Sequence, residues 1–169
     1  LDIKYTIYDV KKKSIQPKYK HIISYVGPKT KMVYLSNPNF LTGQLLKKSE
    51  FEDFMKKLPD NIIVVIDETY IDFTATTDNA LFDSTKYLEE NIIVIRSFNN
   101  FYGYENLELT YAIGSNELIR IIDESNINYN QIDKFNESLA ITCLKDTKHN
   151  NKLLKRLGRE RKKFYDRLT

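Results

Sequence analysis

The sequence predicts an α/β protein built on a mostly parallel sheet. Two observations carry that expectation. NIIVVIDE (61–68) and NIIVIRSF (91–98) are unbroken, β-branched apolar runs, the pattern of strands buried on both faces. Segments with an apolar helical stripe stand before and between them, which gives the β-α-β-α-β rhythm of a layered sheet.

The elements follow in order. LDIKYTIYDV (1–10) alternates like a strand from the first residue, and a chain opening on Leu1 in this way reads as a segment of something longer. TKMVYLSN (30–37) is the first strand of the central unit. SEFEDFMKKLPD follows, with Phe51, Phe54, Met55 and Leu58 at i, i+3, i+4 and i+7. Ser49 and Glu52 have the spacing of a capping box at its start, and Pro59 ends it. Between the two apolar strands, DNALFDSTKYLEE places Leu81, Phe82, Thr85 and Leu88 roughly at helical spacing, which completes a βαβ unit. LTYAIGS (109–115) is a further short strand. NELIRIIDES, QIDKFNESLAITCLKD and a basic segment to Thr169 are all helical.

Composition bounds the class. A chain of 169 residues, 41% hydrophobic and 29% charged, suits one ordinary globular domain. No apolar run reaches the length of a membrane span and no signal-peptide pattern opens the sequence, so neither a membrane nor a leader is expected. Cys143 is the sole cysteine and cannot form an internal disulfide, which favours a reducing, cytoplasmic setting. In LAITCL it reads as a small core residue.

Charge excludes little else. The excess of 26 basic over 23 acidic residues is small and gathers in KLLKRLGRERKKFYDRLT. There Leu153, Leu157, Phe164 and Leu168 share one helical face, ringed by Lys and Arg, which reads as a solvated basic helix rather than an RNA-binding tail. The tyrosines do not alternate with basic residues as single-strand platforms require, so no nucleic-acid partner is expected. His21 and His149 have no clustered partners. Asp67 and Glu68, adjacent on a strand, point to opposite faces and cannot share a metal or an acid–base task.

In open α/β sheets ligands collect beyond the carboxyl ends of the parallel strands. That rule singles out SNPNFLTG, DETY and RSFNNFYG. The first is no phosphate-cradling glycine loop, having one glycine and a bulky Phe40, and Gly103 in the third reads as a turn residue.

Together the three stretches resemble the PLP-dependent aminotransferases of fold type I, most closely the histidinol-phosphate aminotransferase family. PKTKMVYLSNPNFLTG is similar to that family's strand and Asn-Pro-Asn-Asn-Pro-Thr-Gly loop. VVIDETYIDF is similar to its Asp-Glu-Ala-Tyr strand end, and RSFNNFYGYENLELTYAIGS to its lysine-bearing segment and the strand that follows. The resemblance covers essentially the whole chain. It implies the three-layer α/β/α large domain of the PLP-dependent transferases, with C-terminal helices leading to a small domain absent from this sequence. Residues 1–145 are then part of a large domain, and residues 146–169 form the helix linking toward the small one.

The resemblance also implies site residues. Asp67 stands where the family pairs with the pyridinium nitrogen, Tyr70 where it contacts the phenolic oxygen, and Ser97 where a hydroxyl touches the phosphate. The Schiff-base lysine position is Asn100, the phosphate arginine is Glu108, the loop asparagine is Phe40 and the adjacent proline is Leu41. An amide nitrogen is neither nucleophilic nor basic at neutral pH, so Asn100 cannot condense with an aldehyde or carry a proton. A carboxylate at 108 repels a phosphate dianion.

The leading expectation is therefore a non-catalytic relative, acting as decoy, scaffold or regulatory partner. It would pair with itself or with an active aminotransferase-fold protomer, as serine palmitoyltransferase combines a lysine-free subunit with a lysine-bearing one. The rivals are an active transaminase with a relocated amine, for which Lys47, Lys48 and Lys86 are the sequence candidates, or with a lysine supplied by its partner, and a product with no selected function.

Overall fold

The computed structural model describes residues 4–6, 19–74, 82–88, 91–103, 109–125 and 132–169. Most of the N-terminal alternation, Leu81 and Glu108 lie outside the described residues. Among the described residues the sheet has four strands in sequence order: β1 (Met32–Ser36), β2 (Ile63–Asp67), β3 (Ile92–Ser97) and β4 (Thr110–Gly114). The first three run parallel and β4 returns antiparallel to β3. Each expected strand of the central unit is present, within one or two residues of its expected ends.

Register fixes which side chains share a face. Ser36 stands opposite Asp67 and Asp67 opposite Ile95. Tyr34, Ser36, Val65, Asp67, Ile93, Ile95 and Ser97 therefore lie on one side, and Val33, Leu35, Val64, Ile66, Ile92, Val94 and Arg96 on the other. Apart from Arg96, the second set forms the main core with Leu46, Phe51, Phe54, Leu58, Ile62 and Phe82. That core accounts for alternate positions of the apolar runs, Val64, Ile66, Ile92 and Val94 being fully buried, and Val65 and Ile93 are buried on the opposite face.

Helix α2 (Lys48–Met55) covers this core. Its Phe51 is completely buried and packs against Phe82, with ring centroids 4.6 Å apart, and Tyr87 at 5.4 Å. The expected capping box does not form. Lys47 is the N-cap, with no side-chain cap bond, and Ser49 lies inside the helix. Glu52 is drawn elsewhere: it accepts a hydrogen bond from the Tyr87 phenol at 2.8 Å and meets Lys48 at 3.7 Å. A tertiary contact has outweighed the local one.

The helix expected between β2 and β3 is also corrected. The described part of that segment is a short 3₁₀ turn, Ser84–Tyr87. Asp83 caps it through the Thr85 N–H and hydroxyl, at 3.2 and 2.6 Å. Such local Asp and Thr bonds compete with α-helix, and the Ser84 hydroxyl is diverted to Glu68.

Beyond β4 run α3 (Asn116–Ser125), α4 (Lys134–Lys145) and α5 (Thr147–Leu168), as expected. A preceding one-turn helix, α1 (Tyr19–Ile22), contacts α2. A second small core joins Cys143, Leu139 and Ala140 of α4 to Phe98, Tyr102 and Leu109, so α4 supports the loop after β3. Asp146 sits between α4 and α5 with non-helical angles, φ −80 and ψ 62. Its amide N–H bonds back to Thr142 and its carboxylate accepts the His149 N–H at 2.9 Å, so it terminates one helix and starts the next. The apolar stripe of α5 is open, with Phe164 and Leu168 each about two-thirds exposed or more (67% and 71%). Among the described residues no helix is long and apolar enough to cross a membrane.

Truncating Phe51 to Ala removes the side chain that joins α2, Phe82 and Tyr87. We expect a loss of about 3–5 kcal/mol of unfolding free energy in urea titration.

Candidate functional site

The three loops beyond β1, β2 and β3 converge, held by bonds between them. After β1, Asn37 is buried: its N–H bonds to the Asp67 carbonyl at 2.8 Å and its Oδ1 accepts the Leu46 N–H at 2.8 Å. That asparagine ties the first loop both to β2 and to the chain entering α2. Next, Asn39 Oδ1 gathers the N–H groups of Leu41 and Thr42 and the Thr42 hydroxyl, at 3.0–3.2 Å. The turn closes at Gly43, whose φ of 66 suits glycine. Its tip carries Phe40 and Leu41 into the open, 69% and 87% exposed.

After β2, both oxygens of the Asp67 carboxylate are engaged. Oδ1 accepts the Thr69 N–H at 3.0 Å, and Oδ2 accepts the phenol of Tyr34 from the neighbouring strand. Burial of the hydroxyl, reinforced by the Asp67 carboxylate, pushes the Tyr34 phenol well above its ordinary pKa. It therefore stays protonated and donating throughout the ordinary pH range. Tyr70 lies beside this carboxylate in sequence and has two aromatic neighbours, Phe40 at 5.8 Å and Phe73 at 6.1 Å. Phe73 meets the buried Phe101 edge-on at 5.3 Å, linking the second loop to the third.

After β3, the loop is organised by its own polar groups. Ser97 is buried; its hydroxyl accepts the Asn99 N–H at 3.0 Å and donates to the Leu109 carbonyl at 3.5 Å. Asn99 Oδ1 accepts the Leu109 N–H at 2.8 Å, so the loop is clasped to the start of β4. Asn100 reaches across to β2's loop, its amide nitrogen 3.5 Å from the Thr69 carbonyl. Gly103 turns the chain with φ 77, as its sequence context implied.

The opposite face of the sheet carries a different arrangement. Glu68 is buried, 1% exposed, and accepts from Arg96 Nε at 2.9 Å, from a second Arg96 nitrogen at 2.8 Å, and from the Ser84 hydroxyl. Burial pushes its carboxyl above the usual range, opposed by Ser84 and the guanidinium. Asp83, 4.0 Å from Arg96, is held below the usual carboxylate range by the Thr85 hydroxyl. Asp67 and Glu68 thus point apart, as the strand alternation required.

The sequence reading placed Asp67, Tyr70, Ser97 and Asn100 at these strand ends, and the structure brings their loops together there. Lys47, Lys48 and Lys86 belong to elements on the Glu68 side: α2 and the 3₁₀ turn pack over the core face, away from Asp67. The reading missed Tyr34, Asn37 and the Glu68–Arg96 pair. Arg96 inside an apolar strand was the available signal, because a charge buried there demands a partner. Tyr34 was signalled by parity, being on the Asp67 face of the adjacent strand. Among the described residues no group of His, Cys, Asp and Glu could hold a metal ion.

Residues 3–169 match the family profile described as aminotransferase class I and II. The chain belongs to that family. A histidinol-phosphate aminotransferase 2 from Hydrogenovibrio crunogenus is 38% identical over 123 residues, 72% of this chain and 32% of that protein. The crystal structure of the histidinol-phosphate aminotransferase from Clostridium acetobutylicum superposes with a TM-score of 0.76 at 29% identity, over 89% of this chain and 45% of that one. A Sinorhizobium meliloti histidinol-phosphate aminotransferase, solved in complex with pyridoxal-5'-phosphate, shares the fold with a TM-score of 0.70 at 22% identity, over 80% of this chain and 37% of that one. The chain thus spans less than half the length of these relatives. The mostly parallel sheet with its helices matches the large domain of the PLP-dependent transferases, of which this chain is a part.

Two substitutions test the polar framework of this aminotransferase-family site. Asn37→Ala leaves the buried Leu46 N–H without its acceptor and should cost about 1–3 kcal/mol by chemical denaturation. Glu68→Ala strands the Arg96 guanidinium and should cost about 3 kcal/mol, measured in the same way.

Proposed function

We propose that this protein is a non-catalytic member of the aminotransferase class I and II family, similar to histidinol-phosphate aminotransferases, that has kept the frame of the cofactor site and lost its chemistry. The observation that carries the reading is Asn100. It occupies the loop position that corresponds to the family's lysine, and its amide is turned to the Thr69 carbonyl at 3.5 Å. An amide offers no lone pair able to attack an aldehyde, and it cannot take up the proton that a Schiff-base amine carries.

The donor set does not fit pyridoxal 5'-phosphate. Asp67 and Tyr70 are suited to a pyridine ring and its phenolic oxygen. Phe40, however, brings an apolar ring to the loop position where an amide donor belongs, and it lies against Tyr70. Ser97, the candidate phosphate contact, directs its single hydroxyl proton, the part a phosphate would need, to the Leu109 carbonyl at 3.5 Å. Glu108, outside the described residues, would replace the phosphate's positive partner by a like charge.

What remains is a folded surface suited to partnership. The protein is read as a cytoplasmic scaffold or regulatory subunit that pairs with itself or with an active protomer of the same fold. Residues 1–145 would supply the large-domain surface and 146–169 the helix leading toward a further domain.

The test is direct. Full-length protein mixed with pyridoxal 5'-phosphate and then borohydride is expected to show no Schiff-base absorbance and no pyridoxyl mass adduct. A stoichiometric adduct on Lys47, Lys48, Lys86 or any other lysine would establish a relocated amine and end the non-catalytic reading.

A further inference from the structure

We infer that Tyr34 and Phe40 close the vacated site from within, their side chains taking the positions on Asp67 and Tyr70 that a flat-ring ligand would need. The inference rests on the non-catalytic reading and deepens it. The loss of chemistry is not confined to Asn100, and restoring an amine there would not restore binding.

Three observations support it. First, the Asp67 carboxylate has no oxygen left without a donor: Thr69 N–H holds Oδ1 at 3.0 Å and the Tyr34 phenol holds Oδ2. A ring nitrogen bearing a proton would have to share an oxygen with one of them, and the Thr69 N–H is fixed by the chain, so the side chain it meets beside Asp67 is Tyr34. Tyr34 is the competing donor on that face. Second, the ring of Tyr70 already has Phe40 at 5.8 Å and Phe73 at 6.1 Å, both within the range of favourable aromatic contact. Third, neither Tyr34 nor Phe40 is a core residue: they are 59% and 69% exposed. Tyr34 sits on the face of β1 that α2 does not cover, and Phe40 sits at the tip of the Asn39 turn. Their one described polar or aromatic engagement apiece is with Asp67 and with Tyr70. Two exposed aromatic side chains directed at the two residues best suited to a cofactor act as an internal substitute for it.

The exposure of both residues makes the test clean, because removing them should leave the fold intact. In full-length protein carrying Asn100→Lys, adduct formation with pyridoxal 5'-phosphate is titrated by borohydride trapping and mass spectrometry, with and without Tyr34→Phe and Phe40→Ala. The triple variant should reach half-saturation at a concentration at least about tenfold lower than Asn100→Lys alone, the factor carried by one charge-assisted hydrogen bond. Thermal unfolding of the Tyr34→Phe, Phe40→Ala pair should match the parent. Equal affinity of the single and triple variants, or no adduct in either, overturns the inference. Non-covalent pyridoxal 5'-phosphate followed by equilibrium dialysis, without the lysine, gives an independent comparison; there too the Tyr34→Phe, Phe40→Ala pair must bind more tightly than the parent. An adduct on the unmodified protein would sink the non-catalytic reading and the closed site with it, whereas equal affinities without any parent adduct overturn the closed site alone.

Discussion

The carboxylate of Glu68 holds the middle of this molecule in register. It is buried at the end of β2, where an uncompensated charge would cost several kcal/mol, and it is offset by two Arg96 nitrogens at 2.8 and 2.9 Å and by the Ser84 hydroxyl. Those partners come from β3 and from the turn that precedes it. One side chain therefore locks two strands and their crossover together just beneath the loops. Its own N–H bonds to the Ile95 carbonyl at 2.7 Å, which extends the ladder one residue past β2. With Glu68 committed to the core side, strand alternation leaves Asp67 no direction but the other face. The position of the most conspicuous site residue is a by-product of a structural ion pair next to it.

The strands and the later helices were legible in the sequence because their signals are redundant. Val64, Ile66, Ile92 and Val94 are buried on one face and Val65 and Ile93 on the other, and burial on both faces is what an unbroken apolar run encodes. The segment between β2 and β3 was misread because Phe82, Thr85 and Leu88 have helical spacing whether or not their backbone is α-helical. Asp83 and Ser84, which decide the matter, act through side-chain bonds to Thr85 and Glu68. The capping box failed for a related reason: Glu52 had a better partner in Tyr87, 35 positions away in sequence. Motifs of local spacing are overruled by contacts that spacing cannot express.

The candidate site divides along the same line. That three loops meet at the strand ends follows from parallel topology and could be foreseen. That Asn37, Asn39 and Asn99 each hold backbone N–H groups of their own or a neighbouring segment could not, since an asparagine in a loop is equally at home facing solvent. These amides hold the outline of the loops through the protein's own hydrogen bonds. The loops are stabilised by bonds to their own backbone, so the frame does not depend on a bound group.

Asp146 separates α4 from α5 with a single residue of non-helical backbone. The 22 residues of α5 make a rod about 33 Å long at 1.5 Å per residue. A change of about 10° at that swivel would sweep the far end by ~6 Å, with no contact in the sheet disturbed. Whatever the apolar stripe of Phe164 and Leu168 rests against, its position relative to the strand ends is set by the leverage of one aspartate.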